Sequence, residues 1–148
     1  MNCTNIVKGT KHDFARLSVI WESAVKATHD FLDNEDFVYY QSRITDYFCM
    51  VDIYVYKNEN GETIGFIGVS GSMVEMLFVD AAFRGCGVGR KLLDYAIDNL
   101  NVDKLDVNEQ NIQALDFYIH MGFRIIGRSP TDSEGKPYPL LHLHYIAE

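Results

Sequence analysis

Long apolar runs, paired cysteines and an excess of positive charge are all missing from this sequence of 148 residues. No window approaches the roughly 18 consecutive apolar residues that a membrane-spanning helix needs, and the N-terminus has no apolar signal segment. The three cysteines, Cys3, Cys49 and Cys86, show no CxxC spacing, which argues against a disulfide framework and against a zinc site. We therefore expect a cytoplasmic protein with reduced thiols that binds neither a membrane nor a metal.

Acidic residues outnumber basic ones, because 21 Asp and Glu against 13 Lys and Arg give a formal net charge of −8. Proteins that bind DNA or RNA gather many Lys and Arg on one face, so nucleic acid is not expected as a partner. A cleft with this negative character would attract cationic ligands such as amines. The chain has 47% hydrophobic residues and no linker-like segment, which predicts a single domain over residues 1–148, as a monomer or a homodimer.

The hydrophobic pattern predicts an α/β domain with a mixed sheet. Thr10 and Asp13 form a predicted capping box for the first helix, and Asn108 is the predicted N-cap of the last one. Three strands without an intervening helix predict an antiparallel meander, whose first turn is the NENG segment at 58–61. The predicted elements are, in order, strand 5–8, a helix from Thr10 to about Lys26, a helix around 37–47, strands 51–57, 63–70 and 73–79, helix 90–100, strand 105–107, helix 109–121, and strands 123–127 and 137–145.

A basic, glycine-rich segment, FRGCGVGRK at 83–91, lies between the meander and the next helix. Alternating glycines allow backbone N–H groups to converge on one point, and the helix dipole adds positive potential there, so the segment suits an anion. A plain turn with solvated charges explains the same residues. The spacing matches neither the P-loop GxxxxGK[ST] nor the Rossmann GxGxxG, and Cys86 has no adjacent base that would make it a nucleophile. The residues alone leave the anion site and the plain turn both open.

Two segments together resemble the GNAT superfamily of acetyl-coenzyme A dependent N-acetyltransferases. Arg84, Gly85, Gly87 and Gly89 resemble its R/Q-x-x-G-x-G/A pyrophosphate loop, and NEQNIQALDFYIHMGF at 108–123 resembles its N-x-x-A-x-x-F-Y-x-x-x-G-F signature. The strings ATHDFL, RGCGVGR, VNEQN and GKPYPLL are further similar to a small bacterial branch of the YjaB type. The resemblance covers nearly the whole chain. It implies a three-layer α/β/α fold around a mixed, mostly antiparallel central sheet.

The resemblance implies that acetyl-CoA is the acetyl donor. No metal is expected, because only His142 and His144 show ligand-like spacing and no third ligand is indicated. In the family, the pantetheine arm lies in a V-shaped opening between the last meander strand and the next strand. Backbone groups of Leu77 and Val79 would then face the thioester and the pantetheine, while the glycine-rich segment would hold the pyrophosphate. The implied cofactor-contacting residues are Leu77, Val79, Arg84, Gly85, Gly87, Val88, Gly89, Arg90, Asn111 and Tyr118.

Two side chains are candidates for proton transfer. An amine with a lysine-like pKa of about 10.4 is neutral in roughly one molecule in 2,500 at pH 7, so a base is useful. Glu75 interrupts an apolar strand, and we expect it on the same face as Leu77 and Val79; the family's base often falls two residues earlier, where this chain has Met73. Tyr118 matches the tyrosine that protonates the leaving thiolate in many relatives, although its helical spacing also fits a core position.

The acceptor is predicted to enter from the first two helices and the last strands. The candidate acceptor-binding residues are Trp21, His29, Phe31, Tyr138 and His142. A histidine on an apolar strand, as at His142, is more often a structural residue than a binding one. The function we predict is acetyl transfer to a primary amine of a small molecule or protein by direct attack in a ternary complex. The alternatives are a coenzyme A binding or sensing module without turnover and, more distantly, a nucleotide-binding domain, which the hairpin argues against.

Overall fold

The computed structural model describes residues 5–146 and confirms the predicted order of strands and helices. The strands are β1 Ile6–Lys8, β2 Asp52–Lys57, β3 Thr63–Ser70, β4 Met73–Val79, β5 Lys104–Asn108, β6 Phe123–Ser129 and β7 Leu140–Tyr145. The helices are α1 Phe14–Thr28, α2 Asn34–Phe48, α3 Val88–Asn99 and α4 Ile112–His120. The predicted capping box is present: Asp13 Oδ2 accepts from the Thr10 N–H, and Thr10 Oγ1 accepts from the His12 N–H in a short 3₁₀ turn before α1.

All seven strands form one sheet in the order β1-β2-β3-β4-β5-β7-β6. Every neighbouring pair is antiparallel except β4 and β5, which run parallel. The sheet is therefore mixed and mostly antiparallel, as the resemblance implied, and β2 to β4 form the predicted meander. Because β7 pairs between β5 and β6, the last two strands are in reversed spatial order.

Two separate cores, one on each face of the sheet, give the three-layer arrangement. The core beneath α1 and α2 is centred on Leu17, Ile20, Phe48, Val55 and Phe66. The core beneath α3 and α4 contains these buried residues among others: Ile67, Leu92, Leu93, Ala96, Leu105, Phe123 and Leu143. Phe66 and Ile67 are consecutive in β3 and belong to opposite cores, which is the alternation expected of a strand covered on both faces.

The start of α4 differs from the prediction. The helix begins at Ile112, and its N-cap is Asn111, whose Oδ1 accepts from the Ala114 N–H at 3.2 Å. Asn108 is not the cap, because it is still in β5, paired with Leu140 of β7, and its Oδ1 accepts from the Gln110 N–H in the following turn. Pairing with a strand distant in sequence keeps the backbone extended there, which local helix signals do not reveal.

The start of β7 also lies later than predicted, at Leu140 instead of residue 137. Pro137 and Pro139 precede it, and proline has no N–H to donate to a neighbouring strand. Pro139 contributes its carbonyl instead, which accepts from the Glu109 N–H at 2.9 Å. The strand therefore begins only after the second proline.

The glycine-rich segment is held against the sheet by a close approach of α3 to β3. A Cβ at Gly65 would lie 2.9 Å from Cγ1 of Val88, the first residue of α3, and 3.3 Å from Cδ1 of Leu92. Real Cβ atoms do not approach so closely, so glycine is required for this packing. The N-terminus of α3 is thereby fixed at the end of β4.

The structure also bears on the expectations about cysteines and about membrane-spanning helices. Cys49 and Cys86 are both free and exposed, whereas Cys3 lies outside the described residues. None of the helices within residues 5–146 combines the length and the apolarity that crossing a bilayer would require.

Candidate active site

A cleft opens where β4 and β5 separate. The two strands pair only at Met73 with Lys104 and at Val74 with Leu105, and they diverge beyond these residues. The resulting cavity has a volume of about 520 Å³ and is bounded by β4, β5, the glycine-rich segment, α3, α4 and the end of α1. This is the V-shaped opening that the resemblance implied.

One edge of β4 presents backbone N–H groups to the cleft. The Asp80 N–H donates to the Ile64 carbonyl of β3 at 2.9 Å, which fixes the direction of the N–H groups before it. Since successive N–H groups of a strand point to opposite edges, those of Leu77 and Val79 point away from β3 and toward the cleft. Both residues line the cavity.

The glycine-rich segment forms the far end of the cleft. Gly85 and Gly87 have φ angles of +79° and +83°, in the left-handed region that other residues rarely adopt. The first intrahelical bond runs from the Lys91 N–H to the Gly87 carbonyl at 3.1 Å. The N–H groups of Val88, Gly89 and Arg90 consequently have no carbonyl one turn earlier to donate to. They add to the positive end of the α3 dipole, and this makes the segment suitable for an anion.

Three side-chain hydrogen bonds hold the segment in place. Asp80, just before it, accepts from Arg16 Nη2 at 2.9 Å and from Ser23 Oγ at 3.2 Å, which ties the segment to α1. On its other side, Arg84 Nη2 donates to Gln113 Oε1 at 2.5 Å. Gln113 belongs to the first turn of α4 and also lines the cavity, so the pair bridges the two walls of the cleft.

Tyr118 and Asn111 bring α4 to the cleft. Tyr118 is 8% exposed, lines the cavity, and packs edge-on against Phe123 with ring centroids 6.1 Å apart. Burial raises the pKa of Tyr118 above the ordinary value of a tyrosine, so its hydroxyl keeps its proton at neutral pH. Asn111 lines the cavity as well, with its side-chain oxygen used as the N-cap of α4.

Glu75 lines the cavity from a β-bulge in β4. Gly68 pairs with Met76 and Val69 pairs with Val74, so Glu75 has no partner opposite it in β3. The bulge also breaks the alternation on which the predicted facing of Glu75 relied: Val74 packs in the same core as Leu77, three positions away. The prediction that Glu75 shares a face with Leu77 and Val79 assumed a regular strand, and the bulge makes that assumption wrong. Glu75 nevertheless lines the cleft. Met73, the alternative base position, pairs at the closed end and is not among the lining residues.

Burial and a second carboxylate act on Glu75 in the same direction. Partial burial raises the pKa of the Glu75 carboxyl above its usual value, and the negative charge of Asp106 raises it further. Asp106 lies in β5 and lines the same cavity. The cleft thus contains two carboxyl groups, one of which has increased affinity for a proton.

His29 reaches the cleft from the end of α1 in a defined tautomer. Thr28 Oγ1 donates to the Ala24 carbonyl at 2.8 Å, so its 2.7 Å contact with His29 Nδ1 requires the imidazole to donate. Burial lowers the pKa of His29 to about 4, with the charge of Asp30 opposing the shift. The ring is therefore neutral at pH 7, with its proton on Nδ1 and a lone pair on Nε2.

Phe31 and Tyr138 are brought together beside His29. The ring centroids of His29 and Phe31 are 5.1 Å apart, and those of Phe31 and Tyr138 are 6.2 Å apart. The Tyr138 hydroxyl donates to Asp36 at 2.5 Å and accepts from the Asp33 N–H at 3.1 Å, so it connects the segment before β7 to the start of α2. These two aromatic residues are therefore linked to His29, but neither Phe31 nor Tyr138 is among the residues that line the cavity.

The cleft and its surroundings correspond to a known family. Residues 25–138, well over half of the chain, match the model of the acetyltransferase (GNAT) domain. The chain belongs to the GNAT acetyltransferase family. It is 39% identical over 141 residues to the peptidyl-lysine N-acetyltransferase YjaB of Escherichia coli strain K12, covering 95% of this chain and 96% of that protein. It is 38% identical to the protein of the same description from Salmonella typhimurium strain LT2, covering 95% and 97%.

The fold comparison agrees with the sequence comparison. The solution structure of apo YjaB from Escherichia coli superposes with a TM-score of 0.83 at 38% sequence identity, and the match covers 97% of each chain. This GNAT protein is accordingly an acetyl-CoA dependent N-acetyltransferase, with acetyl-CoA as the donor. The reading of the chain as a coenzyme A binding module without turnover gives way to that of an enzyme.

Of the five predicted acceptor-binding residues of this GNAT enzyme, only His29 lines the cavity; Phe31 and Tyr138 lie beside His29, and Trp21 and His142 lie elsewhere. Trp21 is 6% exposed and stacks on Phe37 with ring centroids 5.3 Å apart, in the core beneath α1 and α2. It does not line the cleft. The sequence could not show this, because a core position and a cleft position on a helix have the same spacing. His142 is outside the lining residues too, but its Nδ1 lies 2.6 Å from Oδ1 of Asp106, which is among them.

Asp106 was missed by the sequence analysis of this GNAT chain. It stands between Leu105 and Val107, so it looks like the solvent-facing residue of an alternating strand. The useful signal is the match between LDV in β5 and LHL in β7, in which Asp106 pairs directly with His142. Reading that match requires knowing that these two strands are neighbours.

Proposed function

We propose that this enzyme acetylates the side-chain amine of lysine in a peptide or protein, by direct attack of the amine on acetyl-CoA in a ternary complex. The observation that carries the proposal is the similarity over 95% of the chain to two proteins described as peptidyl-lysine N-acetyltransferases. The cleft agrees with a cationic substrate, since its lining includes the carboxyl groups of Glu75 and Asp106 together with a neutral His29.

The donor would be bound mainly by backbone groups. The N–H groups of Leu77 and Val79 face the cleft and can donate to the thioester carbonyl and to the pantetheine amides. The N–H groups at the start of α3, together with the left-handed Gly85 and Gly87, would surround the pyrophosphate. A donor aimed at the thioester oxygen stabilises the negative charge that develops there during attack.

Glu75 and Tyr118 would exchange the protons. Glu75, or a water molecule bound to it, takes one proton from the ammonium; the neutral nitrogen then attacks the thioester carbon. A base with a raised pKa is better matched to work near neutral pH. As the carbon–sulfur bond breaks, Tyr118 donates its proton to the thiolate and is reprotonated from the second N–H of the attacking nitrogen, directly or through solvent. The products are the amide, coenzyme A and one proton released to solvent.

We also place the enzyme in the cytoplasm. The thiols of Cys49 and Cys86 are free and exposed, and this state is stable in a reducing compartment. The glycine-rich segment contains Cys86, so oxidation of this thiol would alter the proposed pyrophosphate site.

The test is a thiol-release assay with acetyl-CoA and an N-terminally blocked peptide containing one lysine, followed by mass spectrometry of the product. We expect release of coenzyme A in step with acetylation of the lysine side chain. A matched peptide with norleucine in place of lysine should give no release. Acetylation of a free N-terminus in preference to the lysine, or of small amines alone, would contradict the proposed acceptor.

A further inference from the structure

Asp106 lies on the wall of the cleft, in the same cavity as Glu75. Leu105 and Val107 pack in the core beneath α3 and α4, so the side chain of Asp106 between them points to the opposite face of the sheet. That face is covered by α1 and α2 over the meander, and Asp106 lies beyond the meander, in β5. It lines the cavity close to Glu75, on whose carboxyl its charge acts.

A neighbouring histidine fixes the orientation of Asp106. His142 Nδ1 lies 2.6 Å from Asp106 Oδ1, and His142 Nε2 lies 2.7 Å from Ser129 Oγ. A nitrogen and a carboxylate oxygen at such a distance need a proton between them, so Nδ1 donates and the carboxylate accepts. The Ser129 hydroxyl holds the other side of the ring. Three adjacent strands, β5, β7 and β6, therefore supply one connected chain of hydrogen bonds.

This arrangement leaves half of the carboxylate available. Oδ1 is used by His142, and for Oδ2 no donor is found among residues 5–146. An oriented carboxylate oxygen in a cleft is a recognition group for an ammonium, because a charge-assisted hydrogen bond is about twice as strong as a neutral one. A cluster of carboxylates by itself would not specify this; the defined geometry of the histidine partner does.

The two carboxyl groups of the cleft then have different tasks. We propose that Asp106 binds the positive charge of the acceptor amine, that His142 is its positioning residue, and that Glu75 receives the proton. The bond to His142 orients the Asp106 carboxylate, and the negative charge of Asp106 favours protonation of Glu75, which is the division expected of an anchor and a base that lie close together. The inference rests on the proposed primary-amine acceptor, yet it can be tested apart from turnover.

The experiment measures binding of Nα-acetyl-lysine methylamide to the coenzyme A-saturated enzyme, which cannot react. Asp106→Asn should weaken binding by about ten- to a hundredfold, the usual effect of losing a hydrogen bond to a charged group. The matched control is Asp103→Asn, because Asp103 forms a similar pair with His144 at 3.4 Å but does not line the cleft. The norleucine analogue of the probe should bind weakly and equally to all variants.

His142 is tested by a pair of substitutions. His142→Asn retains an N–H close to the position of Nδ1 and should keep the KM for the amine near that of the wild type, whereas His142→Leu should raise it. Neither substitution should change the KM for acetyl-CoA. A general loss of structure would instead raise the KM for both substrates. Equal binding of the probe by the wild type and Asp106→Asn, or no binding by the wild type, overturns the inference. Probe binding that depends on Asp106 without turnover of any lysine peptide would support it and refute only the proposed function.

Discussion

Replacing Gly87 by glutamate tests whether the glycine-rich segment holds the pyrophosphate of coenzyme A. In the free protein the change is tolerable, because a Cβ at Gly87 would meet no atom within 4 Å. The φ angle of +83° costs a residue with a side chain about 1–2 kcal/mol. The new carboxylate at the start of α3 recovers about 0.3–1 kcal/mol of that through the helix dipole. The melting temperature without ligand should therefore fall by only a few degrees, at roughly 2–4 °C per kcal/mol.

With ligand the same carboxylate opposes the phosphates. Two like charges 4 Å apart near a protein surface repel by about 4 kcal/mol, which corresponds to a loss of affinity approaching a thousandfold. Coenzyme A at 100 times its Kd stabilises the wild type by about 2.7 kcal/mol, or about 5–11 °C. At the same concentration the variant would be far from saturation, and its shift should fall below about 1 °C. Differential scanning fluorimetry with and without coenzyme A measures both quantities.

Gly61→Glu is the matched control for this measurement. Gly61 has a φ angle of +81° and an equally open surrounding, and it lies in the turn between β2 and β3, outside the cleft. That variant should lose comparable stability and keep the full coenzyme A shift. If Gly87→Glu keeps the shift as well, the pyrophosphate assignment is wrong. If Gly61→Glu also loses it, the effect reflects general destabilisation.

Two further predictions concern proton transfer. Tyr118→Phe should leave the coenzyme A melting shift intact and lower kcat by about 10²- to 10⁴-fold, as expected for a lost general acid; wild-type turnover in a thiol-release assay would remove Tyr118 from the mechanism. Because the pKa of Tyr118 is raised, the wild-type rate should show no decline from tyrosine ionisation below about pH 10. Glu75 is active as a base only when ionised, so kcat/KM should rise with pH through a pKa above the usual value of a glutamate. In Glu75→Gln that step should vanish, and its persistence would assign it to another group.

Most of the fold could be predicted from the sequence because local signals agreed with the tertiary structure. The helical spacing of Leu92, Leu93 and Ala96, the capping box at Thr10, and the turn at 58–61 each depend on residues a few positions apart. The glycine-rich segment alone did not distinguish an anion site from a plain turn. The meander before it and the 108–123 signature after it favoured the anion site.

The parts of the site that escaped prediction all depend on contacts between residues distant in sequence. The bulge at Glu75 arises from the register of β3 against β4, and the sequence MVEMLFV of β4 does not predict it. Trp21 lies on the same helical face as the core residues Leu17 and Ile20. Only its stacking on Phe37 of α2 shows that Trp21 also belongs to this core and not to the cleft. The bond between Asp106 and His142 requires β7 to lie beside β5, a neighbour relation that skips β6.

The parallel step between β4 and β5 explains why the donor groups gather in one place. Parallel neighbours cannot be joined by a tight turn, so the chain must cross over, and α3 is that crossover. The N-terminus of a crossover helix necessarily lies near the carboxyl end of the strand before it, which here is the end where β4 and β5 have diverged. The strand edge that presents the N–H groups of Leu77 and Val79 therefore runs directly into the positive end of α3. One topological feature thus aligns the proposed thioester site with the proposed pyrophosphate site, at opposite ends of the same cleft wall.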